Sequence, residues 1–234
     1  SRMVNALKYF NAATAKEEPA YADFAISNVA DGSIVPMYTN ITLDHAWSVA
    51  DVVGYYHIAG IGSTRNLETH IFQVAKEDSI TDTVEWVAMD DAALSVFVPY
   101  YPMLTTDTYA GYQLSTAAAD FVEAHPESGV YYATTKNKRN ENGERVKVEG
   151  FCVLPENWAD SVYWTMDTLS NLYEYGALTD DEKAQVETTL ADLQAECYEV
   201  YNQLKADPDN ATAISAAAAQ KVHEACVALV NSVK

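Results

Sequence analysis

Basic residues are scarce in this 234-residue chain: 14 Lys and Arg stand against 34 Asp and Glu, a formal net charge of −20. A surface this acidic repels nucleic acid and anionic lipid, so neither nucleic acid nor a membrane is expected as a partner. Long apolar runs are missing too. None reaches the roughly 18–20 residues that a bilayer-spanning helix needs. Residues 1–20 hold no long apolar core of a secretory leader, a feature expected only at a natural N-terminus. Cysteine is sparse: Cys152, Cys197 and Cys226, with no C-x-x-C spacing. An odd, unpaired set gives no disulfide framework. Cys197 and Cys226 fall on the apolar stripes of expected helices and read as buried structural thiols. That usage suits a reduced, cytosol-like compartment, and a cell-surface location stays open.

Familiar catalytic signatures are absent as well. His223-Glu224 opens an H-E-x-x-H, but Val227 stands where the second histidine belongs, so no zinc pair forms. His45, His57, His70 and His125 have no ligand spacing with one another or with a cysteine and read as structural. There is no G-x-S-x-G, no P-loop and no G-x-G-x-x-G. Nothing around Cys152 supports a papain-like pair. No cofactor and no metal are expected.

What is present is a core. The chain is 49% hydrophobic and 11% aromatic, with 16 Tyr and 4 Trp, which excludes a disordered segment. Arg2–Phe10 suggests a short helix, Ile34–Tyr38 a short strand, and Thr42 an N-cap for a helix to Tyr56 with Leu43, Ala46, Trp47, Ala50 and Val53 on one face. Three strands follow, at Leu67–Val74, Thr83–Met89 and Leu94–Tyr101, with a turn at Asp90-Asp91. Val84 and Trp86 share a face, which Ala88 can extend, and Pro99 keeps the end of the third strand out of mid-sheet pairing. Short connections make an antiparallel meander the simplest topology. Asn142-Gly143, between Val130–Thr135 and Val146–Val153, reads as a hairpin tip. It carries five of the 14 basic residues (Lys136, Lys138, Arg139, Arg145, Lys147), a solvated face rather than a binding patch.

The last third is helical. Asn157 suits the cap of a helix from Trp158 to Tyr175 ending at Gly176. Thr179-Asp180-Asp181-Glu182 is a capping box. Val186, Leu190, Leu193, Cys197, Val200 and Leu204 then recur at three- and four-residue steps. Asp207-Pro208 breaks the chain, and Asn210 opens a last helix striped by Ile214, Ala218, Val222, Ala225, Leu229 and Val233. Helices joined this tightly pack antiparallel.

One polar cluster opens an otherwise apolar strand: Gly62-Ser63-Thr64-Arg65-Asn66-Leu67-Glu68-Thr69-His70-Ile71-Phe72-Gln73. An arginine at a strand mouth can clamp a carboxylate with two parallel hydrogen bonds. It can equally bridge two segments of its own protein, and the residues alone leave both readings open.

This stretch resembles the R-N-x-E-T-H-I-x-Q strand of the cysteine dipeptidases of the dipeptidase A type, peptidase family C69 of the N-terminal-nucleophile hydrolases. Trp86-Val87-Ala88-Met89, Val98-Pro99-Tyr100-Tyr101 and Thr105-Thr106 follow in the family's order. Arg2 to Tyr9-Phe10 resembles its R-x-x-x-x-x-x-Y-F segment, and Ile41-Thr42-Leu43-Asp44 its helix-opening I-S-I-E-D. The likeness is dense over 60–106, and Asp120–Val153 fits poorly. It implies an α+β chain: residues 1–153 as the C-terminal part of an αββα domain, with 120–153 as an insertion, and 154–234 as a helical appendage.

The resemblance also implies a mechanism. A cysteine at the mature N-terminus attacks the dipeptide carbonyl with its own α-amine as base. That cysteine is expected upstream of Ser1, and Cys152, Cys197 and Cys226 do not match it. Ser1 is read as a boundary rather than a nucleophile, because a nucleophile opens a strand and Arg2–Phe10 looks helical. Arg65 and, behind it, Asn66 are the residues carried over as catalytic. This chain alone is then expected to be inactive. Its implied partners are a dipeptide substrate and the missing N-terminal segment, with a homo-oligomer open. Its place is the bacterial cytoplasm or cell surface. The rival reading is a non-catalytic binding or assembly module that keeps the scaffold.

Overall fold

The computed structural model describes residues 16–19, 25–27, 34–36, 39–42, 45–58, 61–62, 66–75, 83–113, 130–154, 158–175 and 178–233, with the backbone alone for the strands before residue 43 and most of those within 130–154. Ser1, the expected helix at Arg2–Phe10, Arg65, His125, Asn157 and Gly176 lie outside them. By backbone contacts the chain divides into two compact units, Ser1–Ile61 and Gly62–Lys234.

The first unit holds two antiparallel pairs. β1 (Lys16–Pro19) pairs with β4 (Thr39–Thr42), and β2 (Ala25–Ser27) pairs with β3 (Ile34–Pro36). Thr42 therefore ends a strand instead of capping a helix. The helix, α1 (Val49–Tyr56), starts later because Ser48 and Asp51 close a reciprocal box: the Ser48 hydroxyl accepts from the Asp51 amide at 3.2 Å, and the Asp51 carboxylate accepts from the Ser48 amide at 2.7 Å. Val53 is its buried residue.

The second unit is built on the expected meander. β5 (Glu68–Gln73), β6 (Val84–Met89) and β7 (Val98–Tyr100) form one antiparallel sheet in that order. Ile71 faces Trp86 across β5 and β6, and Trp86 faces Pro99 across β6 and β7. Val84, Trp86 and Ala88 are buried as the alternation predicts. The third strand is shorter than expected. Asp91 caps a 3-10 turn at Ala92–Leu94 by accepting from the Ala93 amide at 2.9 Å. Phe97 is then withdrawn from the ladder by a glutamine: the Gln194 amide oxygen accepts from the Phe97 N–H at 2.8 Å, and its NH2 donates to the Phe97 carbonyl at 3.2 Å. The carbonyl of Pro99 accepts from Ser215 at 2.8 Å. Among the described residues β7 is thus an edge, with helices meeting the Phe97 backbone groups and the Pro99 carbonyl, and an edge is where a proline is tolerated.

Those helices are α2 (Val162–Tyr175), α3 (Asp180–Ala206) and α4 (Ala211–Val233). A 3-10 turn at Trp158–Asp160 precedes α2, so this helix begins four residues later than expected. The Thr179 capping box forms as predicted. Gln185 meets Ser232 at 3.2 Å and Glu196 meets Lys221 at 2.6 Å, two rungs of an antiparallel hairpin of α3 and α4. Val186, Leu190, Leu193, Cys197 and Leu204 are buried, but Val200 is only half-buried. On α4 the expected stripe is buried at Ala218, Val222, Leu229 and Val233, as is Cys226, and the buried face is wider than the stripe. Ser215, His223, Cys226 and Val230 are inside, while Ile214 and Ala225 are half-buried. The core lies between the Trp86 face of the sheet and this helical layer, and the fold class is α+β.

β8 (Val130–Arg139) and β9 (Arg145–Leu154) make the expected hairpin, longer than predicted. Gly143, at φ +79°, supplies the left-handed step. Asn140 organises the loop: its side-chain oxygen accepts from the amides of Asn142 at 3.1 Å and Glu144 at 2.9 Å.

Candidate functional site

The mouth of β5 is where the sequence places its polar cluster. Arg65 lies outside the described residues, and its neighbours on either side do not. Gly62 is buried against the turn after β6, so tightly that a Cβ there would come within 2.1 Å of the Asp91 carboxylate and 2.6 Å of the Ala93 amide. Only glycine fits. Asn66 is half-buried one residue before Leu67, whose carbonyl accepts from the Asp90 amide at 2.9 Å. The Asp90-Asp91 turn is thus fastened to both described flanks of the cluster. Asp90 holds φ +59°, a left-handed position that aspartate tolerates better than most residues.

Two acids lie behind that turn, Asp90 fully buried and Asp167 half-buried. Asp90 is fully buried, accepts from the Ser170 hydroxyl, and has one carboxylate oxygen with no partner among the described residues. Burial pushes its carboxyl up, against the pull of Ser170. Burial, then the Asp90 charge, pushes Asp167 up to about 7, against the pull of Asn171. Both acids are thus held protonated to a higher pH than an exposed carboxylate, and neither is a nucleophile for acyl transfer here. The pair also sets a pH dependence. An unfolded Asp167 titrates near its usual 3.8, and the folded one near 7. Its share of stability is present below about pH 4 and is lost as pH rises through about 7. Asp167→Asn is therefore expected to raise Tm over wild type at pH 8 by several degrees, with the gain vanishing toward pH 4. Calorimetry across that range checks it, and a gain independent of pH counts against the assignment.

Cys197 and Cys226 are buried, and burial pushes both thiols up to about 12. Neither gives a thiolate at neutral pH. Cys152 lies in β9. His223 is buried and engaged at both nitrogens, Nδ1 with the Tyr109 hydroxyl at 3.1 Å and Nε2 with Thr165 Oγ1 at 3.0 Å. Burial pulls its pKa down, so it is a neutral structural histidine joining α4 to α2. Among the described residues no group of His, Cys, Asp and Glu is arranged to hold a metal ion.

Sequence reasoning flagged the Asp90-Asp91 turn but not the acid pair. Asp167 had one legible signal: it is an aspartate set among Met166, Thr168 and Leu169 in an otherwise apolar helix segment. The partnership with Asp90 joins a turn to a helix far along the chain and leaves no local trace.

No curated protein and no solved structure matches the chain. The model of peptidase family C69 matches residues 26–143, half of the chain. The matched stretch contains the meander, the mouth of β5 and the hairpin up to its tip. The Arg2–Phe10 segment and the helices after residue 143 lie outside it. With the meander motifs in place and the match spanning them, this chain belongs to peptidase family C69.

Proposed function

We propose that this chain is the downstream part of a cysteine dipeptidase, and that the nucleophile is none of its own three cysteines. The family match over 26–143 carries the reading. The burial of Cys197 and Cys226 supports placing the nucleophile elsewhere, at a mature N-terminus where its own amine serves as base. In this reading the meander and its helices are one part of an αββα sandwich completed by the upstream segment. Arg65 binds the substrate carboxylate at the mouth of β5, and Asn66 assists. A strongly acidic protein needs such a fork, because its overall field repels an anionic group.

The experiment is hydrolysis of a panel of dipeptides, tripeptides and N-acetylated dipeptides by the whole protein and by residues 1–234 alone. The whole protein should cleave the free dipeptides and lose that activity on thiol alkylation, and residues 1–234 should be inactive. Turnover by residues 1–234 that survives alkylation of all three cysteines and blocking of the Ser1 amine would overturn the proposal. A whole protein that cleaves nothing would identify a scaffold that has become a binding module.

A further inference from the structure

We propose that the tip of the β8–β9 ribbon is an arm that docks into the solvent-facing groove between α3 and α4 of a second copy of this chain. The groove encloses about 610 Å³ and is lined by residues of these two helices. It holds Val200 and Ile214, the two branched residues of the apolar stripes that stay only half-buried. Ala217 and Ala218 leave room between them, and Glu196 and Glu199 stand exposed at the rim. The helical period marks Val200 and Ile214 for burial, and one copy covers them only in part.

The rim keeps an excess of acid. Lys221 already bridges Glu196 at 2.6 Å. The lysines of α3 lie over rings, Lys183 at 5.3 Å from Tyr173 and Lys205 at 4.3 Å from Tyr201. An acidic rim on an apolar floor suits a segment that carries lysines beside apolar residues.

The ribbon is such a segment. Its register sets Lys136 opposite Val148 and Lys138 opposite Val146, so two lysines and two valines share one face. On the other face Arg139 stands directly opposite Arg145, and Lys147 opposite Asn137. No acid is opposite any of the five bases. Residues 136–147 hold five bases and two acids, which leaves nine bases and 32 acids in the rest of the chain. Like charges directly opposite on paired strands are destabilising, and a two-stranded hairpin by itself is marginal. Among the described residues β8 and β9 pair with no further strand. The residues alone suit a solvated face; their register makes an arm that gains by meeting acids.

A second copy is the occupant that the charges select. Within one chain β8 and β9 pack on α2, and no described residue of theirs lines the groove. Two copies of so acidic a protein repel each other except where this arm meets acid. A two-fold axis lets each copy give one arm and receive one, which closes the assembly as a dimer.

The test is sedimentation velocity of the full chain and of two charge-reversed variants. Wild type should dimerise, and the dimer should weaken as salt rises. Lys136→Glu with Lys138→Glu reverses the arm, and Glu196→Lys with Glu199→Lys reverses the groove. Each should weaken dimerisation at least tenfold by itself. An equimolar mixture of the two should dimerise again, because each variant's arm then matches the other's groove. Circular dichroism checks that both fold. If the groove variant does not, Val146→Asp in the arm replaces it and should weaken the dimer severalfold. A wild type that stays monomeric to high micromolar concentration, a dimer indifferent to the folded variants, or a mixture of the two folded reversals that stays monomeric overturns the assignment.

Discussion

Trp86→Ala is expected to destabilise the protein by about 3–5 kcal/mol, a fall in Tm on the order of 10 °C for a domain of this size. Trp86 is fully buried at the centre of the meander, with Ile71 and Pro99 opposite it on either side. Its ring packs on Tyr198 at 5.8 Å and Tyr201 at 5.5 Å, both from α3. Removing it deletes a large aromatic contact between sheet and helices and leaves a hole that the surrounding structure closes only in part. The indole N–H, however, has no partner among the described residues. Trp86→Phe keeps an aromatic ring in place and removes that unpaired donor, so it should cost less than about 1.5 kcal/mol. Denaturant unfolding of both variants checks the pair. Equal losses would mean that the polar atom, not the ring volume, governs the site.

Arg65→Lys in the whole enzyme is expected to lower kcat/KM by about 30- to 1,000-fold, or about 2–4 kcal/mol of transition-state stabilisation. The expectation rests on the proposed dipeptidase activity. Lysine keeps the charge but not the planar fork that grips both oxygens of a carboxylate. The competing role is a bridge within the protein. Acids stand ready for that at the same mouth, since Asp90 and Asp91 are fastened to the described flanks of the cluster at Leu67 and Gly62. Steady-state kinetics on a variant with unchanged Tm separates the two. A loss of less than about threefold makes Arg65 a structural bridge.

Much of this architecture was written in short-range pattern. Alternation placed Val84, Trp86 and Ala88 on one face, and Thr179 with Glu182 announced the start of α3 three residues apart. Asn142-Gly143 marked the hairpin, and the R-N-x-E-T-H-I-x-Q strand marked the family. These features depend on residues within a turn or a strand of one another, so the sequence alone determines them. Ser48-x-x-Asp51 is a capping box as local as that of Thr179, and it, rather than Thr42, starts α1.

Only the tertiary structure decided the rest. Phe97 leaves the ladder because Gln194, 97 residues later, takes both its backbone groups. Asp90 and Ser170 meet across 80 residues, and Tyr109 and His223 across 114. The buried face of α4 also takes in polar Ser215 and His223, because each has a partner waiting, on β7 and on α2. A buried polar side chain is tolerated only where a partner satisfies it. Periodicity records how apolar a position is, and not which distant group will meet it, so those pairings had to wait for the folded chain.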